Sequence, residues 1–393
     1  MISVRGFFCA AVLAAAPSVS LAATCGGNFN NWMSTLKSEA VSKGHSQADV
    51  NRFFQSARID QNVLKADRSQ GVFRLTFSQF ASRAISANRM TNGKKNLGKY
   101  KNTFAKIQKT YGVQPAVLTA FWALETDYGA VQGNFNTLNA LITLSHDCRR
   151  PELFRPQIFA TIDLWKRGDF DPVKTKGAWA GEIGMVQMLP EDILHRGVDG
   201  DGDGRVRLKT SAPDALHTGG RLLKDLGWQA SQPWLVEVTV PQNMDWSQTG
   251  LDTQKPISYW ASKGVKARGV AMPSGNIQAS LMLPQGRKGP AFLALPNFFV
   301  YFEWNKSLVY VTTAAYFATR LNGAPPFNKG NPDPALSDAG MKALQKKLKA
   351  RGHDVGKVDG ILGAKTRAAV QKEQQRLGLP ADAWPTKAFI GKL

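Results

Sequence analysis

Six of the fifteen residues from Asn322 to Leu336 are glycine or proline: Gly323, Pro325, Pro326, Gly330, Pro332 and Pro334. No helix can run through them, because each proline lacks an amide donor and clashes with the preceding turn. Proline-rich chain of this kind is a semi-rigid spacer. The 393 residues therefore divide into a large unit before the spacer and a small one after it, expected to fold separately. The divisions read from the sequence are 1–23, an export signal; 24–322, the main domain; 323–336, the spacer; and 337–393, the small domain.

Within the main domain the pattern is helical from Asn28 to about Tyr111. Trp32, Leu36 and Ala40 recur every four residues before Gly44, and Ser46 with Asp49 makes a helix start ahead of Val50, Phe53 and Phe54. Glycine, proline, asparagine and serine accumulate at 165–182 and 241–297, which read as long loops. Strands are expected at Leu235 to Val240 and Phe298 to Phe302 only, and helix returns over Ser307 to Leu321. In the small domain Met341, Leu344 and Leu348 line one helix, and Thr366 to Leu377 forms another carrying Ala369 and Val370. The fold class is mainly α, a helical domain with a small β element, followed by a small three-helix domain.

Met1 to Ala23 has Arg5, an apolar stretch from Gly6 to Ala16, and Ser20-Leu21-Ala22 ahead of a cleavage point after Ala22 or Ala23. The apolar run is too short to span a bilayer. The expectation is a periplasmic protein without a transmembrane helix, and Thr24 disfavours a lipid anchor at Cys25. Removal of Cys9 with the signal leaves Cys25 and Cys148, whose one intramolecular pairing is a disulfide in an oxidising compartment. The alternative is two buried thiols. A net charge of +21 favours a polyanionic partner, and the compartment argues against nucleic acid.

Pro115 suits a helix start, and Leu118, Phe121 and Trp122 precede Glu125 by seven, four and three residues. Glu125 is thus a lone carboxyl at the edge of an apolar surface. Desolvation there would keep it protonated, as a general acid must be. The alternative is a solvated glutamate at the rim of the stripe.

The run Phe121 to Gly129, followed by Ala178-Trp179-Ala180-Gly181-Glu182-Ile183-Gly184-Met185-Val186-Gln187-Met188-Leu189-Pro190, resembles the lytic murein transglycosylase B family. Val63 to Gln70, Tyr111-Gly112-Val113, Arg149-Arg150, Trp304-Asn305 and Tyr310 arrive in the family's order. Leu344-Gln345, Asp359 to Gly363, Thr366 and Ala369-Val370 resemble a peptidoglycan-binding module, although Leu362 and Glu373 replace aromatics common there. The resemblance implies a lysozyme-like catalytic domain. It also implies non-hydrolytic cleavage of the bond between N-acetylmuramic acid and N-acetylglucosamine, leaving 1,6-anhydro ends. Glu125 matches the acid that then turns base, Gln187 a reader of acetamido groups, and Arg149 and Arg150 the pair meeting the stem peptide; Asn305 and Tyr310 match late groove residues. The implied partners are glycan strands and their stem peptides, and no cofactor is needed for the chemistry. The other readings are a muramidase hydrolysing the same bond and a non-catalytic wall-binding scaffold. Two positions depart from the family: Ala178 replaces a serine, and Glu182, expected on a solvated loop, replaces a small residue.

Asp199, Asp201 and Asp203 stand at positions one, three and five of a calcium-type loop, with Gly204 at six. Thr210 occupies position twelve in place of glutamate, so Asp214 is the late ligand expected for a structural calcium. Otherwise the stretch is a glycine-rich turn with solvated aspartates. The five histidines show no zinc-ligand spacing, and neither a nucleophile elbow nor a phosphate loop occurs.

Overall fold

The structure, a computed structural model, describes residues 25–69 and 75–393. The export-signal reading of residues 1–23 lies outside the described residues. Among the described residues no helix is long and apolar enough to cross a membrane.

The main domain is organised around the Pro115–Thr126 helix. Proline occupies its first turn, and every residue from Ala116 to Ala123 is buried. A helix apolar on all sides must be covered on all sides. Leu308–Leu321, Ala87–Lys99, Lys101–Tyr111 and Ala212–Asp225 supply that cover. Close approach depends on Gly93, where a Cβ would come within 2.6 Å of the Tyr128 hydroxyl oxygen and 2.8 Å of Leu321.

At the first described residue, Cys25 is bonded to Cys148, with Cα atoms 5.2 Å apart. The Gly26 amide donates to the His146 carbonyl at 2.8 Å beside that bridge. The sequence expectation of one disulfide is thus met in the structure.

The β element is larger than expected. Five antiparallel strands lie in the order Lys255–Pro256, Gln278–Met282, Ala291–Ala294, Leu235–Thr239 and Lys266–Ala267. Strands alternate their faces, and this sheet has a core on each. Leu235, Phe292 and Met282 join the helical core, whereas Val236, Val238, Leu281 and Leu293 pack around Trp246 and Trp260. The 241–297 region therefore supplies four of the five strands. Phe298 to Phe302, expected as a strand, lies inside the Pro296–Trp304 helix. Pro296 begins that helix, and so short an apolar run carries no decisive period.

The Asn322–Leu336 segment does not stand free of the main domain. Phe327 packs against Phe77, Phe292 and Tyr316, with ring centroids 5.1, 6.4 and 5.0 Å away. The Asn328 amide donates to Oε1 of buried Glu237 at 2.7 Å. Beyond it the helices Asp338–Ala350, Ala364–Arg376 and Lys387–Lys392 enclose Met341, Leu344, Leu348, Val370 and Phe389. Glu373 is buried too and is paired with His353, Arg351 and Arg376. This small domain is bonded to loops flanking the sheet. Arg367 donates to the Pro284 carbonyl at 2.6 Å, Gln371 to the Thr249 carbonyl at 2.9 Å, and Arg287 pairs with Asp382 at 3.2 Å.

Candidate active site

Glu125 occupies the last turn of the central helix. The helix ends one residue later, at Thr126, because Asp127, Tyr128 and Gly129 have φ of 51°, 62° and 89°. Left-handed backbone at two non-glycine residues is uncommon and costs free energy. Arg89 holds it in place, pairing with Asp127 at 3.1 Å while its carbonyl accepts the Tyr128 hydroxyl at 2.5 Å.

Two residues far along the chain complete the environment of Glu125. Trp304 stacks on Phe121 with centroids 4.1 Å apart and donates its indole N–H to Glu125 Oε1 at 3.0 Å. The Tyr310 hydroxyl donates to the same oxygen. Burial pushes the Glu125 carboxyl up to about 7, against the pull of the Tyr310 and Trp304 hydrogen bonds and with help from the like charge of Glu182. Both donors go to Oε1, so the proton belongs on Oε2. Tyr310 is itself pushed well above its ordinary value by burial and by the neighbouring carboxylate.

Arg149 and Arg150 follow the disulfide immediately. They share Asp67, whose carboxylate is buried, at 2.7 and 2.6 Å. A shared buried carboxylate fixes two flexible side chains, and the forks remain part-exposed. Arg150 and Asn305 line one cleft of roughly 520 Å³, whose far wall includes Gly360 to Ala364 of the small domain. Asn305 accepts the Ser307 amide with its Oδ1 at 2.9 Å. Gln187 has φ of 52° and donates its Nε2 to the Gly184 carbonyl at 2.8 Å.

Glu182 does not face solvent as expected. Its residue is only partly exposed, and its Oε2 is enclosed with no hydrogen-bond partner. Burial raises its carboxyl above the ordinary range, opposed by nearby amides and by Arg150. The segment is a loop, but one folded against the core. Neither Asp67 nor Trp304 was given a role by spacing, since their partners lie 83 and 179 residues away.

The carboxylates of Asp199, Asp201 and Asp203 converge within 4.8 Å on the surface. Asp214 does not join them. It is fully buried, and its oxygens accept the amides of Gly200 at 2.9 Å and Arg207 at 2.7 Å, bracing the loop from beneath. Three hard oxygen donors suit calcium, and the side chain at position twelve adds no carboxylate.

A lysozyme-like helical core with a carboxyl of raised proton affinity at the end of its central helix belongs to the class of glycan-cleaving enzymes. Residues 28–319 match the transglycosylase SLT domain family and residues 337–393 the putative peptidoglycan binding domain; the chain belongs to the SLT transglycosylase family. SltB3 from Pseudomonas aeruginosa, in complex with NAG-anhNAM-pentapeptide, aligns with a TM-score of 0.85 and 35% identity, covering 93% of this chain and 99% of that one. The membrane-bound lytic murein transglycosylase B of Escherichia coli is 28% identical over 235 residues, 59% of this chain and 63% of that protein. This chain thus matches just under two thirds of that relative's length. The Escherichia coli lytic transglycosylase Slt35, in complex with calcium, shares the fold with a TM-score of 0.65 at 24% identity, over 76% of this chain and 96% of that one.

Proposed function

We propose that the protein is a periplasmic peptidoglycan lytic transglycosylase that cuts the β-1,4 bond between N-acetylmuramic acid and N-acetylglucosamine without water. The observation that carries this reading is Glu125, a carboxyl whose proton is held to about pH 7 with both donors on one oxygen. In the first step Glu125 Oε2 gives its proton to the glycosidic oxygen as the bond to the muramyl C1 breaks. Tyr310 and Trp304 steady the carboxylate left behind. In the second step that carboxylate takes the proton of the muramyl 6-hydroxyl, and O6 closes onto C1 as the 1,6-anhydro ring. The intramolecular hydroxyl replaces water, so no second carboxylate has to activate a nucleophile.

Arg149 and Arg150, held by Asp67, suit stem-peptide carboxylates through their forked donors. Gln187 and Asn305 offer amides to the acetamido groups. The ligand of the SltB3 complex, NAG-anhNAM-pentapeptide, has the kind of end this route makes. Residues 337–393 would hold the wall. Asp199, Asp201 and Asp203 would hold calcium, which would brace the loop structurally and supply no catalytic group.

Digestion of purified sacculi with product masses tests the reading. Wild type is expected to release anhydro ends, each lighter by one water than a hydrolytic end, and Glu125→Gln to be slower by about 100- to 10,000-fold. Hydrolytic ends would make it a muramidase, and absence of release would make it a scaffold.

A further inference from the structure

One ionisable group whose carboxyl has an enclosed oxygen and acts on Glu125 has no part in the steps above. Glu182 lies in a turn closed by Ala178 N–H to the Glu182 carbonyl at 2.9 Å and by the reciprocal Ile183 and Met188 bonds at 2.8 and 3.0 Å. Its backbone has no slack. Gly181 and Gly184 have φ of 89° and 83°, and a Cβ on them would meet Leu141 at 2.3 Å and Leu208 at 2.5 Å. The turn is latched to the end of the catalytic helix. Thr126, the residue after Glu125, donates its hydroxyl to the Met185 carbonyl at 2.6 Å and accepts the Gly129 amide at 2.9 Å.

Glu182 thus sits in a fixed turn, its Oε2 enclosed and lacking a hydrogen-bond partner. The charged groups that act on it and on Glu125 come from three directions. Arg150 stands at the head of the Pro151–Arg167 helix with Asp67 and Arg149 behind it, Glu125 ends the central helix, and Tyr310, with Tyr301 near it, lies beyond Glu125. Arg150 favours the charged form of Glu182, whose Oε2 has no donor, whereas Glu125 accepts from Trp304 and Tyr310, so the two carboxyls sit in unlike surroundings. Paired carboxyls in unlike surroundings divide their roles, one ionised and the other protonated.

We propose that Glu182 is a positioning residue for Glu125: ionised and offset by Arg150, it makes Glu125 hold its proton before cleavage and reclaim one more strongly afterwards. Like charge disfavours ionisation, so the carboxylate formed in the first step is a stronger base for the 6-hydroxyl in the second. This rests on Glu125 being the acid and base proposed above.

The test is the pH profile of kcat/KM and of kcat on a defined anhydro-forming glycan, for wild type, Glu182→Gln and Glu182→Asp, with folding checked by melting. In Glu182→Gln the alkaline limb should move to lower pH. The variant should lose about three- to tenfold more activity at pH 8 than at pH 6, since one pH unit of displacement is a tenfold change. KM should stay within about twofold, and Glu182→Asp should restore the limb toward wild type. A folded Glu182→Gln with an unmoved limb, or a change in KM alone, would overturn the inference. Wild type without anhydro products would instead overturn the reading of Glu125.

Discussion

Trp304 and Glu125 meet across 179 residues of chain, the indole N–H donating to Oε1 at 3.0 Å while the ring stacks on Phe121, one helical turn before the acid. The stack fixes the indole, and the indole fixes the carboxyl. Tyr310 donates to the same oxygen from the next helix. Each donor favours the ionised form, so removing one should raise the proton affinity of Glu125. In Trp304→Phe and Tyr310→Phe the alkaline limb should therefore move to higher pH, opposite to Glu182→Gln. Turnover at the optimum should fall by about 10- to 100-fold, the worth of a hydrogen bond to a charged group. Limbs read from initial rates between pH 5 and 9 check both directions.

The same carboxyl sets a stability term of known sign. Its folded value of about 7 exceeds the ordinary 4.5, so the folded state alone keeps the proton between these values. Stability from this group is full below about 4.5 and is lost as pH rises toward 7. Glu125→Gln, which cannot ionise, should gain in melting temperature over wild type at pH 8 and gain less at pH 5. Melting curves of the two proteins at both pH values decide it.

Phe327 gives the proline-rich segment a structural duty. Truncation after Leu321 would remove it and uncover Phe77, Phe292 and Tyr316. That protein should melt well below one truncated after Leu336. Phe327→Ala in the full chain should cost about 2 to 3 kcal/mol, short of the full cost of a wholly buried ring. Denaturant midpoints of the three proteins check the order.

The Cys25–Cys148 bridge closes a loop of 123 residues, worth about 4 to 5 kcal/mol in the chain-entropy account. Cys148 also precedes the arginine pair. Cys148→Ser should lower the melting temperature and weaken binding of peptide-bearing glycans more than of bare ones. Calorimetry and binding to both glycans test the two halves.

These outcomes also mark what the sequence could disclose. The central helix was legible because Pro115 and an unbroken apolar run leave no other reading, and Glu125 stood out as its lone carboxyl. Gln278–Met282 and Ala291–Ala294 were not legible, because Pro284, Gly286, Gly289 and Pro290 between them look like loop. Their pairing, Met282 opposite Phe292, is a tertiary fact. Glu182 was misread for a related reason: glycines mark a turn and say nothing about what the turn packs against. The bonds from Trp304, Tyr310 and Asp67 join residues that only the finished fold brings together.

Because Arg367 grips the Pro284 carbonyl, Gln371 the Thr249 carbonyl and Asp382 the side chain of Arg287, the last 57 residues are not an interchangeable cassette. A wall-binding unit on a loose tether can be shuffled between enzymes by recombination at the tether alone. Here a graft would bring a foreign surface against a loop shaped for this one. Inheritance of the two parts is thereby linked, and a change at Arg287 invites a compensating change at Asp382. The joint, as much as either domain, is what descent must preserve.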